Sequence, residues 1–205
     1  YANPYKTIAT AYAQVNDGGI IYVMDDIELT AQVNIKSKKS CTITTTNVNT
    51  DGSAYTGDRV TISKAANFPY NNCMFLASYT YNWTIFKDLI IDGKGYSVPS
   101  NAGFLYNIYD TRAVLDNLLV KNFDIGSTSS NNGYVVVITM ASTTATELRN
   151  GTIFTNNTVR GNSSANNPNA IFISGGGAAH TLLADESVEV YGNTMKGCTG
   201  VINLG

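Results

Sequence analysis

Five charged residues in the middle of the chain have the types and spacing for acid–base chemistry and for holding a cation. They are Asp88, Asp92, Arg112, Asp116 and Lys121. Lys121 or Arg112 could remove a proton from a substrate, while carboxylates hold a calcium ion. Asp92 and Asp116 would supply those carboxylates. This candidate catalytic site requires two segments about thirty residues apart to lie side by side.

An internal repeat supplies such an arrangement. Its four rows read WTIFKDLIIDG from Trp83, RAVLDNLLVKN from Arg112, TIFTNNTVRGN from Thr152 and VEVYGNTMKGC from Val188, and they are 29, 40 and 36 residues apart. Further apolar strands lie between and beside the rows: CMFLA, FLYNI, YVVVIT, AIFIS and VINL. About three short strands per period, with no helix, predict a parallel β-helix whose coils stack about 4.8 Å apart.

The aligned rows also predict which residues stack on one another. Two apolar columns are expected, one of Ile85, Val114, Phe154 and Val190 and one of Ile90, Leu119, Val159 and Met195. Between them lies a predicted structural ladder of Asp88, Asn117, Asn157 and Asn193. Inward amide side chains in such a ladder would satisfy backbone groups at the bend between two strands.

The same alignment offers a structural interpretation of the charged residues. It predicts contacts between neighbouring coils, namely Lys87 with Asp116, Asp92 with Lys121, and Arg112 with the ring of Trp83. These contacts would hold the coils together, so the structural and the catalytic interpretations compete for the same side chains.

The two ends of the chain differ. In residues 1–18, Tyr5, Ile8, Tyr12 and Val15 recur at three- and four-residue steps, which predicts an amphipathic helix capping the coil. Residues 19–205 are expected to form the β-helix. The last residues, VINLG, fall in the middle of the repeat. We therefore expect a longer parent protein or self-association through the C-terminal coil.

Composition excludes several classes of function. The chain has 205 residues, of which 43% are hydrophobic and 14% charged, and its net charge is -2. No basic run indicates nucleic-acid binding, and no apolar run is long enough for a membrane span. Cys41, Cys73 and Cys198 fit no metal-binding spacing, so unbridged thiols are expected.

Aromatic residues suggest a binding surface. Tyr79, Tyr81 and Trp83 alternate along one segment, and Tyr106 follows in the next coil. Exposed aromatic rows stack on the apolar faces of sugars, and the alternative is aromatic packing between coils.

Two further groups are weaker candidates for chemistry. Asp25 and Asp26, with Glu28, could bind calcium or act as acid and base, but adjacent strand residues point to opposite faces. His180, the only histidine, lies in a predicted loop. Asn82, Asn150, Asn156 and Asn162 match the N-glycosylation sequon.

Nearly the whole chain resembles a known superfamily, most visibly in the order of its first segments. A helix is followed by DGGIIYVMDDIELTAQVNIKSKKSCTIT, RVTISK and CMFLASYTYNWTIFKDLIIDGKG. This order resembles right-handed parallel β-helix proteins of the pectate-lyase-like superfamily, and most of all its non-enzymatic, adhesin-like branch on microbial cell surfaces. In the enzymes of that superfamily, a calcium cluster with a catalytic Arg or Lys, or several Asp with Gly-His-Gly, does the chemistry. Gly-His-Gly is absent here.

The expected protein is therefore an all-β, right-handed parallel β-helix at the cell surface or outside the cell. As an adhesin or stalk without catalysis, it would bind a glycan or a cell-surface protein and need no cofactor. A polysaccharide lyase or glycoside hydrolase, with calcium in the lyase case, is the first alternative. A structural unit that stacks end to end is the second.

Overall fold

The structure, a computed structural model, describes residues 4–36, 39–45, 59–69, 72–78, 83–96, 103–108, 112–123, 134–139, 151–161, 169–174, 188–198 and 202–204. These ranges contain one helix and eighteen short strands. The helix α1 spans Ile8–Gln14, and the strands are β1 Gly19–Val23, β2 Ile27–Leu29, β3 Val33–Ile35, β4 Cys41–Thr45, β5 Thr61–Lys64, β6 Phe75–Ser78, β7 Trp83–Lys87, β8 Ile90–Asp92, β9 Leu105–Ile108, β10 Arg112–Asp116, β11 Leu119–Phe123, β12 Tyr134–Thr139, β13 Gly151–Thr155, β14 Thr158–Gly161, β15 Asn169–Ser174, β16 Val188–Tyr191, β17 Thr194–Lys196 and β18 Ile202–Leu204.

Every third strand belongs to the same sheet, and all the pairings are parallel. Sheet 1 has the order β1-β4-β7-β10-β13-β16, sheet 2 has β2-β5-β8-β11-β14-β17, and sheet 3 has β3-β6-β9-β12-β15-β18. Three successive strands therefore make one coil, and each coil pairs with the next. This confirms the predicted all-β fold, a parallel β-helix with a short N-terminal helix, and the five interval strands all lie in sheet 3.

Alternating side chains build the core. In β4 the buried residues are Cys41, Ile43 and Thr45, with half-buried threonines between them. Each sheet places one inward column on the axis of the coil: Phe86, Leu115 and Phe154 in sheet 1, Ile62, Ile91, Val120 and Val159 in sheet 2, and Phe75, Leu105, Val136 and Ile171 in sheet 3. Phe75, Phe86 and Phe104 meet edge to face, with ring centroids 4.8–5.8 Å apart.

The helix α1 covers the first coil. Thr7 caps its N-terminus by accepting a hydrogen bond from the backbone N–H of Thr10, and Ile8, Ala11 and Tyr12 are buried against the core. Tyr5 precedes the helix and is 56% exposed, so its predicted place on the apolar helix face is wrong.

The predicted register is correct between the first two rows and wrong by one residue between the second and third. Leu115, not Val114, lies opposite Phe154. The alignment is misplaced by one residue because two asparagines, Asn156 and Asn157, are adjacent. Either of them could be aligned with Asn117. Asn156 adopts the left-handed backbone conformation that marks the corner, with φ of 55°.

Because of this misalignment, each predicted apolar column mixes outward residues of the first two rows with residues of another column in the last two rows. Ile85, Val114, Ile90 and Leu119 are half-buried on the outer face rather than inside the core. Their neighbours along the chain, including Phe86 and Val120, occupy the inward positions because side chains alternate along a strand.

The predicted ladder is therefore two adjacent columns. The corner column has positive φ throughout and comprises Asp88, Asn117, Asn156 and Gly192. Asn, Asp and Gly tolerate this conformation better than other residues. The inner column comprises Leu89, Leu118, Asn157 and Asn193, and only its last two members form an amide ladder.

Asn157 has the geometry expected of a ladder residue. It is 1% exposed, accepts a hydrogen bond from the backbone N–H of Leu118 at 2.9 Å, and donates one to the carbonyl of Leu115 at 2.8 Å. One coil later, Asn193 accepts from the N–H of Asn157 and donates to the carbonyl of Phe154. Each amide thus joins two coils.

Replacing Asn157 with alanine should lower the free energy of unfolding by about 2–4 kcal/mol, because two buried backbone groups lose their partners. Asn193→Ala removes the same two kinds of bond at a half-buried site, where water can replace them, so its cost should be smaller. Urea unfolding of both variants measures the difference. An equal loss of unfolding free energy in the two variants would contradict the claim that burial makes the Asn157 hydrogen bonds more important for stability.

Candidate functional site

Asp116 lies at the end of β10, where both of its carboxylate oxygens have partners. Oδ2 is 3.8 Å from Lys87 Nζ. Oδ1 accepts hydrogen bonds from Thr155 Oγ1 at 2.9 Å and Asn156 Nδ2 at 3.1 Å. The predicted contact with Lys87 is confirmed, and Asp116 links three successive coils.

Asp92 lies at the end of β8 and is 7% exposed. Its Oδ2 is 3.5 Å from Lys121 Nζ, which confirms the second predicted contact. Its Oδ1 accepts hydrogen bonds from Asn122 Nδ2 at 3.0 Å and from the backbone N–H of Lys94 at 2.8 Å. A buried carboxylate with this many donors is held in place by the structure.

The other two candidate residues also contact the neighbouring coil. The guanidinium carbon of Arg112 lies 5.1 Å from the ring centroid of Trp83, as predicted, and Arg112 is 9% exposed. Asp88 is a corner residue, and its Oδ1 accepts a hydrogen bond from Asn117 Nδ2 at 2.6 Å. All five residues of the predicted catalytic site therefore make contacts between coils.

The arrangement does not fit a calcium site. Asp92 ends a strand of sheet 2 and Asp116 ends a strand of sheet 1, and the oxygens of both face nitrogen or hydroxyl donors. Among the described residues, no group of three or more His, Cys, Asp or Glu could hold a metal ion.

The aromatic candidates do not come together where the structure describes them. Tyr79 and Tyr81 lie outside the described residues. Trp83 begins β7 in sheet 1, whereas Tyr106 lies in β9 of sheet 3 and packs against the cluster of Cys73 and Tyr134. The prediction that these rings bind a ligand stays a prediction.

The remaining candidates lie elsewhere. Asp25 and Asp26 are exposed at the turn between β1 and β2, and Asp26 accepts a hydrogen bond from the backbone N–H of Thr61 at 2.7 Å. Glu28 is exposed in β2. His180 lies outside the described residues, as do the sequon residues Asn82, Asn150 and Asn162.

No disulfide joins the cysteines. Cys41 and Cys73 are buried, as expected of small apolar side chains, and Cys198 is half-buried. Burial raises the pKa of the Cys41 and Cys73 thiols to about 11 in each case. These thiols are therefore protonated and unreactive at neutral pH.

Lys64 is a buried ionisable residue that the sequence interpretation missed. It ends β5 and is 1% exposed, and among the described residues its Nζ has no hydrogen-bond partner. The Nζ instead lies 5.0 Å from the ring centroid of Phe68 and 5.9 Å from that of Phe123. Burial lowers the pKa of Lys64 to about 8, and Cys73 opposes this effect slightly.

The sequence contained a signal for this lysine. In TISK, Ile62 is the inward residue, and a strand period of two places Lys64 on the same side. The amine is stabilised mainly by the faces of the two aromatic rings.

A groove with a volume of about 740 Å³ lies at the N-terminal end of the coil. It runs between α1, the residues before it, and strand β1. Two apolar side chains that line it, Tyr5 and Ile20, are 56% and 48% exposed. The groove is lined by a different part of the chain from the charged residues described above.

Comparison with known proteins adds no family to this description. No family model matches the chain, and neither the curated proteins nor the solved structures contain a significant match. Within the described ranges, no helix has the length and apolar character needed to cross a lipid bilayer.

Replacing Lys64 with methionine should raise the free energy of unfolding at pH 7 by about 2–3 kcal/mol. Below pH 8 the lysine is charged in both states, so the folded protein carries the full cost of burying the charge. Between pH 8 and 10.5 the folded state releases its proton first, so the wild type gains stability and the difference from Lys64→Met shrinks.

Urea unfolding from pH 6.5 to 10.5 measures this difference, and subtracting the two curves removes the opposing contribution of the Cys41 thiol. Lys36→Met, at an exposed position, is the matched control and should show no such pH dependence. A destabilised Lys64→Met variant at pH 7 would contradict the account.

Proposed function

We propose that the chain is a non-catalytic, extracellular segment of an adhesin or surface stalk, which presents a glycan-binding or protein-binding face on a rigid β-helix. The observation that carries the proposal is the pairing of Lys121 with the buried Asp92 and of Lys87 with Asp116. The charged groups best suited to catalysis serve as contacts between coils.

The geometry of these pairs favours the structural role. A general base must present a lone pair to the substrate, whereas the Lys121 ammonium faces a carboxylate. Arg112 is 9% exposed over Trp83, so its guanidinium has little surface from which to reach a ligand. The carboxylate of Asp116 is shared among Lys87, Thr155 and Asn156.

The scaffold suits a stalk. Six coils stack with parallel hydrogen bonding throughout the described strands, and five inter-coil steps extend the coil by roughly 24 Å. Contacts between neighbouring coils make such solenoids stiff along the axis, and additional coils lengthen them without changing the cross-section. Binding then depends on outer side chains such as Trp83 and on the connections between strands.

The chain should bind glycans without cleaving them. Glycan-array binding, together with assays for unsaturated uronates and new reducing ends, measures both properties on a panel of acidic and neutral polysaccharides. Binding without turnover is expected, and Trp83→Ala should weaken the binding roughly tenfold through loss of an aromatic contact.

Turnover that disappears in Lys121→Met or Asp116→Asn, while persisting in the exposed control Lys36→Met, would overturn the proposal in favour of a polysaccharide lyase or hydrolase. Circular dichroism of each variant shows that the fold is retained. A chain that binds no glycan and cleaves none would leave only the protein-binding form of the proposal, which pull-down with cell-surface proteins then tests.

A further inference from the structure

One column on the outer face of sheet 2 changes the sign of its charge along the coil. In coil order its residues are Glu28, Ser63, Asp92, Lys121, Arg160 and Lys196, and each is paired in register with the next. The first three coils carry both carboxylates and the last three carry only cations. Ser63 and Asp92 are 3% and 7% exposed, so the exposed charges lie at the two ends of the column. We call this set the polarised column.

Among the described residues, the middle of the polarised column is neutralised by an ion pair, and its ends have no such partner. Asp92 and Lys121 form an ion pair. Glu28, Arg160 and Lys196 are exposed, and none of them forms an ion pair with another described residue. Like charges directly opposite each other on adjacent strands are destabilising, so a nearby negative charge would stabilise Arg160 beside Lys196.

The adjacent outer column has a polar, apolar, polar order. The column consists of five residues, each in register with the next: Thr61, Ile90, Leu119, Thr158 and Thr194. Ile90 and Leu119 are half-buried and belong to the third and fourth coils, at the middle of the sheet. An apolar centre with a polar surround is the usual anatomy of a protein interface.

We infer that sheet 2 pairs face to face with sheet 2 of a second copy of this chain, with the coil axes antiparallel. A two-fold axis parallel to the strands would place the first coil of one copy opposite the sixth coil of the other. The second coil would then face the fifth, and the third would face the fourth. Glu28 then faces Lys196 of the second copy, and Ile90 faces Leu119. Each contact occurs twice, so the surface is self-complementary in charge and in polarity.

The size of the face sets the strength of this association. Three strand residues by five inter-coil steps give a patch of roughly 10 by 24 Å. Standard protein interfaces bury about 800 Å² on each partner, so this contact is weak and salt-sensitive. Chains concentrated on a surface would associate more readily than chains in dilute solution.

Alternatively, the cations of the polarised column could bind a polyanion weakly. Single-stranded nucleic acid needs aromatic platforms for its bases. The outer positions of β11, β14 and β17 carry Leu119, Thr158, Thr194 and the three cations, with no aromatic residue among them. The self-complementary order of charges, in which Glu28 occupies the opposite end, favours a second copy over a uniformly negative polymer.

The test is sedimentation equilibrium of the full 205-residue chain over a wide concentration range, at low and at high salt. The wild type should dimerise reversibly at low salt. Glu28→Lys and Lys196→Glu should each weaken the dimer by roughly tenfold or more, since each replaces two attractive contacts by repulsive ones. The double variant carrying both changes should restore dimerisation. Lys36→Glu, the matched charge change on an exposed residue outside sheet 2, should have no effect.

Carbodiimide cross-linking identifies the geometry. An amide bond between Glu28 and Lys196, formed with loss of water, must be intermolecular, since the two residues are five coils apart, roughly 24 Å along the axis. Mixing ¹⁴N- and ¹⁵N-labelled chains shows this by mass spectrometry.

A wild type that is monomeric at every concentration would overturn the inference. So would dimers that lack the cross-link, or a double variant that fails to recover. Saturable binding of polyglucuronate to a monomer, lost in Arg160→Glu, would assign the face to an acidic polymer instead.

Discussion

The hydrogen bonding between coils is the constraint on which the rest of this structure depends. Each strand of the four inner coils pairs in parallel with the strand three positions before it and the one three positions after it, so a side chain meets its counterpart about 4.8 Å away. Phenylalanine stacks near leucine and phenylalanine inside the coil, and lysine meets aspartate outside it. Packing, amide ladders and ion pairs are three consequences of one register.

The corner residues between sheet 1 and sheet 2 determine how each coil is aligned with the next. Asp88, Asn117, Asn156 and Gly192 all adopt positive φ, at the junction between sheet 1 and sheet 2. The residue after each corner points inward, where Leu89 and Leu118 give way to Asn157 and Asn193. The later coils thus exchange apolar packing for amide hydrogen bonds that join one coil to the next.

The fold and the contacts between coils can be predicted from the sequence because they depend on the repeat. The register cannot be predicted where the repeat allows two alignments. Period-two strands at regular intervals predicted the fold, and the aligned rows predicted the contacts of Lys87, Asp92 and Trp83. The adjacent Asn156 and Asn157 could not be told apart, because only backbone conformation decides which one turns the corner. Function was not predictable in this way, since stacking accounts for most residues that repeat.

The central claim is the register in which Asn156, not Asn157, turns the corner. Paired cysteines on neighbouring strands test it directly, because a disulfide requires Cα atoms about 4.4–6.8 Å apart and side chains that point the same way. Val114→Cys with Ile153→Cys, which are register partners, should form a disulfide on mild oxidation, seen by peptide mapping. Val114→Cys with Phe154→Cys should not, since Phe154 points into the core. The opposite result would contradict the account.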